Sequence, residues 1–256
     1  MLAFIGTLSS SAILTSIFDP FAATKSFVIV TGAIGLMGYA LIDLVQNRLS
    51  LFSKSQQVFF VLLLIFMGAF LARTVTTSDT NSAIYGVVGR SSGFLTYLGY
   101  VLIFLLSMVY VNLSNFRFLV RGLLIAGFLG SFYSLLEKLG KNPWKTSKVY
   151  EGTSSLFGNP NFSGAFLSLA TILSVWMLTN KSSSKNKWLA GVTLPLAIYG
   201  VYTSKALQGV ISIFIGITFL ILIKLFQMRK QFGVGALISA GVIGSLGVLG
   251  SLNIGP

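Results

Sequence analysis

Pro160-Asn161-Phe162-Ser163-Gly164-Ala165-Phe166-Leu167-Ser168-Leu169-Ala170-Thr171-Ile172-Leu173-Ser174-Val175-Trp176-Met177-Leu178-Thr179 carries no charge from end to end. A bilayer demands about 20 such residues in a helix, because lipid offers the backbone no hydrogen-bond partner. Comparable stretches recur on both sides. We read spans at Leu2–Phe18, Lys25–Leu44, Gln57–Ala72, Gly93–Leu113, Phe118–Leu136, Pro160–Thr179, Trp188–Tyr202, Ala206–Ile223 and Phe232–Gly250. The predicted fold is all-α, a polytopic transmembrane helical bundle of about nine spans forming a single domain over residues 1–256.

Composition agrees with that reading. Charged residues make up 9% of the chain and hydrophobic residues 54%, whereas a soluble domain carries roughly a quarter charged residues. So few charges cannot cover a globular surface, and the 22 Phe suit a surface facing lipid. The first span lacks the basic leader and small-residue cleavage site of a secretory signal, so it reads as an anchor.

The net charge of +13 does not indicate nucleic acid. The basic residues are scattered among loops, where they meet anionic headgroups and set topology. With the N-terminus inside, the inner loops hold Arg48, Lys54, Arg117, Arg121, Lys181, Lys185, Lys187, Lys224, Arg229 and Lys230. The outer loops hold Lys25, Arg73, Arg90, Lys138, Lys141, Lys145, Lys148 and Lys205. Lys138, Lys141, Lys145 and Lys148 crowd one outer loop, Glu137 to Phe157, and these outward cations suggest an anionic ligand.

The chain contains no Cys and no His. Disulfides, thiolate or imidazole metal sites, and His or Cys catalysis within this chain are therefore excluded. We expect no metal and no cofactor. Walker and dinucleotide-binding motifs are absent as well.

Three clusters could carry chemistry. The first is Phe157-Gly158-Asn159-Pro160-Asn161. Asn before Pro is a strong helix start, and helix-capping is its plain reading. A second amide at Asn161 and the small residues Gly152, Ser154, Ser155 and Gly158 also make it a place where an anion could meet free N–H groups. The second is Arg90, among Gly86, Gly89, Ser91, Ser92 and Gly93 at the mouth of a span. It is either a headgroup anchor or a planar fork for phosphate oxygens. The third is Thr203-Ser204-Lys205, a charge between two spans with almost no loop, which Gln208 could share. It is either a tight turn or a ligand site. Carboxylates are scarce and unpaired in sequence; Glu151 is the best lone candidate for a base, and its plain reading is a solvated loop charge. The Gly241, Gly244, Gly247 and Gly250 series reads as helix packing.

Taken together, these motifs resemble the O-antigen ligase and polymerase family of bacterial membrane proteins. Phe157–Asn161, followed by Phe162-Ser163-Gly164-Ala165-Phe166, is similar to the family's main signature. Gly89-Arg90-Ser91-Ser92-Gly93-Phe94-Leu95 resembles its glycine–arginine–glycine motif, and Asp19-Pro20 with Lys25 resembles its opening. Thr203-Ser204-Lys205 falls where the family usually has threonine, serine and arginine. The resemblance implies a glycosyltransferase of the bacterial inner membrane with its active face outward. It implies a polyprenyl-diphosphate-linked glycan donor and a glycan, lipid A core or protein acceptor, with no metal or nucleotide sugar. Arg90, Asn159, Asn161 and Lys205 become the expected substrate-binding residues. The catalytic residue stays unassigned, because the family's catalytic His has no counterpart here. That His belongs to an outer loop expected after the last span. The end at Asn253-Ile254-Gly255-Pro256 has no polar tail, so the chain is expected to be the N-terminal portion of a longer protein.

Two alternatives remain. A transporter or flippase would use Lys205 and Asp43 as charges on a substrate path, but the halves show no internal symmetry of the kind common in transporters. A non-catalytic membrane scaffold is the other.

Overall fold

The computed structural model describes residues 1–14, 19–47, 53–112, 115–142, 151–180 and 183–228. Among the described residues the chain is all-helical, with no strand. The helices are α1 (Leu2–Ser11), α2 (Ala22–Asn47), α3 (Lys54–Thr76), α4 (Thr80–Tyr85), α5 (Phe94–Tyr110), α6 (Phe116–Lys138), α7 (Pro160–Thr179), α8 (Ser184–Ser204) and α9 (Leu207–Met228). A 3₁₀ turn, Ser155–Phe157, precedes α7.

Five segments are long and apolar enough to cross a membrane: Ala22–Gln46, Gln56–Thr76, Phe116–Lys138, Pro160–Thr179 and Leu207–Leu225. The other expected spans differ for physical reasons. Helix α1 has 10 residues and α5 has 17, both short of the roughly 20 that a bilayer needs. Helix α8 has 21 residues, but it opens on the polar and charged run Ser184-Lys185-Asn186-Lys187. The expected span Phe232–Gly250 with its glycines, the end Asn253–Pro256, and Arg48, Lys145, Lys148, Lys181, Arg229 and Lys230 lie outside the described residues.

The chain divides into two compact units, Met1–Ala126 and Gly127–Pro256, with the division inside α6. In the first unit, α2 packs against α1 and α5, and its core gathers Ile5, Leu36, Ala40 and Leu106. Close approach explains two glycines there. A Cβ on Gly99 would stand 3.0 Å from Ile29 Cγ2, and one on Gly32 would stand 2.9 Å from Ile5 Cγ1. At the start of α3, the Gln56 side chain accepts from Ser53 N–H (2.8 Å) and donates to the Met108 carbonyl (2.7 Å). The remaining face of α3 exposes Val58, Leu62 and Ile65, as a lipid-facing helix does.

The second unit is built around α7, which packs on α8 and on α9. Its buried face sets small and hydroxylated residues beside two bulky ones, Leu167 and Met177. Ser168, Thr171 and Ser174 donate back to the carbonyls of Ala165, Leu167 and Ala170 at 2.7–2.9 Å, and Thr193 on α8 does the same to Leu189. These four hydroxyls are thereby satisfied within their own helices, whereas the buried Ser163 hydroxyl on α7 has no hydrogen-bond partner among the described residues. Small side chains let the backbones meet: a Cβ on Gly209 would stand 2.9 Å from the Gly164 carbonyl oxygen.

Candidate functional site

In the second unit, one stretch of backbone organises the site. Gly152 runs against the end of α8, where a Cβ would collide with the Ser204 carbonyl and stand 3.3 Å from Pro160 Cβ. The next residue continues the pairing: Thr153 N–H donates to the Thr203 carbonyl at 3.0 Å, and the two threonine hydroxyls lie 3.0 Å apart. Glu151 is therefore carried to Lys205 by backbone register. Lys205 Nζ donates to Glu151 Oε2 at 2.8 Å.

The stretch then turns over a buried carboxylate. Glu137, 7% exposed in the last turn of α6, accepts from Ser154 N–H at 3.0 Å and Ser155 N–H at 2.9 Å. Ser155 takes a left-handed φ of 51°, and its hydroxyl donates to the Gly130 carbonyl at 2.6 Å. Gly158, with φ 69°, reverses the chain into Asn159. Asn159 Oδ1 accepts from Asn161 N–H at 2.9 Å, and Pro160 takes the first helical position. Gln208 closes the group by donating to the Asn161 carbonyl at 2.7 Å.

Three of the four expected binding residues thus share one neighbourhood. Asn159 is committed to capping, the Asn161 side chain is exposed, and Lys205 is exposed but paired. Lys205 stands in the left-handed cap position after α8, with φ 57° and ψ 15°. That position usually holds glycine, and a side chain there costs on the order of 1 kcal/mol. The hydrogen bond from Lys205, reinforced by its charge, holds the Glu151 carboxyl below the usual glutamate range, which weakens it as a base.

Glu137 is the functional-looking residue that reading the sequence missed. A signal existed: a carboxylate in the last turn of a helix opposes the helix dipole and calls for compensation. The two N–H groups of Ser154 and Ser155 supply it.

In the first unit, two separated motifs meet. Asp19 Oδ1 accepts from Ala22 N–H at 2.9 Å, capping α2. Its Oδ2 accepts from Gly89 N–H at 3.1 Å and from the Ser91 hydroxyl at 3.4 Å. The loop it holds is closed at its neck, where the backbones of Gly86 and Gly93 leave no room for a Cβ on either. Gly86 and Gly89 have φ 92° and 86°, and Ser91 has φ 48°. Arg90 stands at the tip, exposed, and its guanidinium has no partner among the described residues. Lys25 Nζ donates to the Ala12 carbonyl at 3.0 Å. Asp43, the other charge of the transport reading, accepts from the Tyr110 hydroxyl at 3.0 Å.

Among the described residues, no three Asp, Glu, His or Cys side chains gather as a metal site would require. Compared with known proteins, the chain matches no family model, no curated protein and no solved structure.

Proposed function

We propose that this protein is a lipid-linked glycan transferase of the O-antigen ligase or polymerase type. It takes glycan from a polyprenyl-diphosphate carrier at the outer face of a bacterial inner membrane. The acceptor is a glycan, lipid A core or protein. In this reading the N-terminus lies inside.

The observation that carries the reading is the loop held by Asp19. Gly89 lies 70 residues from Asp19 in sequence, yet the two are hydrogen-bonded. Their bond, with the glycine neck, fixes a short loop whose tip is an exposed guanidinium. Ordering a loop costs conformational entropy, and a headgroup anchor needs no such order. A planar fork held in place suits the oxygens of a diphosphate. During transfer the bond between sugar and diphosphate breaks, and a cation beside the departing oxygen stabilises the charge developing there. Lys205 is a second cation assigned to anion recognition, and each is tested by itself.

The test is transfer of a lipid-linked glycan by the intact protein in proteoliposomes. Arg90→Ala is expected to lower turnover by about 10²-fold or more, as loss of a charge-stabilising donor does. Arg90→Lys should recover part of it, since an ammonium keeps the charge without the fork. Near-wild-type turnover by Arg90→Ala would overturn the role. Movement of the carrier across the bilayer with no new glycosidic bond would favour the transport reading instead.

A further inference from the structure

Resting on the reading of Lys205 as an anion-binding residue, we propose that Glu151 is a built-in, displaceable counter-ion that occupies Lys205 until a phosphate-bearing group takes its place. It thereby lowers, by a common factor, the apparent affinity of Lys205 for every anion that must displace it.

Three observations on the second unit carry this. First, Lys205 occupies a left-handed position, with φ 57°, that glycine would fill without strain. Capping alone gives no reason for a lysine there. Second, the pairing is imposed by the fold. Gly152 against Ser204 and Thr153 N–H on the Thr203 carbonyl set the register that brings residue 151 to residue 205. Third, the pair stands in the open, with the Lys205 and Glu151 side chains 60% and 88% exposed. An exposed pair is held weakly. Opening it leaves both charges solvated, so nothing buried is stranded.

A carboxylate in that place acts as a competitor. A ligand with one weakly held charge gains little by replacing Glu151. A diphosphate, with more charge and more acceptor oxygens, gains more at the same ammonium. Displacing the same counter-ion costs every ligand the same, so removing the Glu151 charge strengthens binding of both kinds of anion by a similar factor.

The experiment measures binding, with the intact protein in phosphatidylcholine nanodiscs. The probes are inorganic phosphate and pyrophosphate in solution, and polyprenyl monophosphate or diphosphate doped into the disc. Glu151→Gln is expected to tighten diphosphate binding by about twofold to fivefold, the scale of an exposed ion pair, with a melting temperature lowered by no more than about 4 °C. The gain for monophosphate should be a similar factor. Both gains should vanish when Lys205→Ala is combined with Glu151→Gln. Gains with the lipids alone assign the site to headgroups, and gains with the soluble ions as well extend it to free phosphates.

Unchanged affinity in Glu151→Gln, beside weakened affinity in Lys205→Ala, would overturn the counter-ion role. An equal gain in the Lys205→Ala background, or no effect of Lys205→Ala on any probe, would overturn it too. Binding as expected from a protein that transfers no glycan would instead refute the proposed activity and leave this inference standing.

Discussion

The carboxylate of Glu137 accepts the backbone N–H groups of both Ser154 and Ser155, at 3.0 and 2.9 Å, from the last turn of α6. One buried side chain thus pins the start of the turn that leads into α7. Replacing it with alanine strands two N–H groups, one of them on fully buried Ser155. A stranded buried donor costs about 1–3 kcal/mol, so Glu137→Ala should destabilise the second unit by roughly 2–5 kcal/mol. Glu137→Gln keeps an acceptor oxygen and should cost less than half as much. Denaturant unfolding in detergent, followed at the second unit's Trp176 and Trp188, measures the difference; equal losses for both variants would contradict the account.

Gly152 makes a sharper steric demand. Alanine there places a methyl against the Ser204 carbonyl, a backbone atom that cannot swing aside. The stretch must shift, which breaks the Thr153–Thr203 pairing and separates Glu151 from Lys205. Overpacking of this kind costs about 1–3 kcal/mol. Gly191 in α8 is the control, because a Cβ there meets nothing within 4 Å. Gly191→Ala should be neutral or stabilise by up to about 1 kcal/mol. Thermal unfolding of the two variants side by side should show Gly152→Ala melting lower than the unaltered protein and Gly191→Ala melting no lower.

The helices were legible in the sequence because lipid-facing apolar residues dominate its composition, as α3 and α9 show. Span count was less legible. Hydropathy alone does not distinguish a short apolar helix such as α5 from a longer one whose ends are polar. The cap at Asn159-Pro160 could be read locally, since its partner is two residues away. The Glu137 contacts could not, because they join residues 17 and 18 apart that no periodic pattern relates. Asp19 is a similar case. Its motif and that of Arg90 stood out separately by resemblance, but no periodicity relates residues 70 apart. The pairing of Lys205 with Glu151, 54 residues earlier, escaped for the same reason.

Asn159 separates capping from binding. Asn159→Ala removes the side-chain acceptor for Asn161 N–H and should destabilise α7 by about 1 kcal/mol. Asn159→Asp keeps that acceptor and suits the helix dipole, so stability should hold. Its added negative charge would repel a diphosphate. Unfolding and transfer measured on the same samples decide the matter. If Asn159 belongs to the anion site, the aspartate variant keeps its stability and loses transfer; if it is a cap alone, both are retained.

Lys205 should show a conflict between stability and binding. Glycine at this left-handed position escapes a penalty of about 1–2 kcal/mol but loses more chain entropy on folding, at about 0.5–1 kcal/mol. Lys205→Gly is therefore expected to stabilise the protein by roughly 0.5–1 kcal/mol while weakening anion binding. Lys205→Ala, which keeps the strain, should weaken binding without the gain. The comparison needs one melting curve and one binding isotherm for each variant. A destabilised Lys205→Gly would mean that the lysine's own contacts outweigh its strained backbone.

Glu151 and Asp79 are both held below the usual carboxylate range, for different reasons that salt can separate. For Glu151 the causes are the hydrogen bond from Lys205 and then its charge. For Asp79, the N-cap of α4, they are the hydrogen bond from the Ser82 side chain and then that from the Ser82 N–H, which donates at 3.1 Å. Because each folded value lies below the unfolded one, each group's contribution is present above the ordinary carboxyl range of about 4 and is lost as pH falls through the lowered value. The Debye length shrinks to about 3 Å in 1 M salt, which loosens an exposed ion pair but leaves a hydrogen bond from a neutral donor in place. Raising salt should move the Glu151 titration up towards the ordinary range and leave Asp79 low. Carboxyl carbon NMR on the intact protein, with Lys205→Ala as reference, follows both groups at once. A Glu151 titration that ignores both salt and Lys205→Ala would show that the pair does not persist in solution, and the counter-ion would then have no cation to guard.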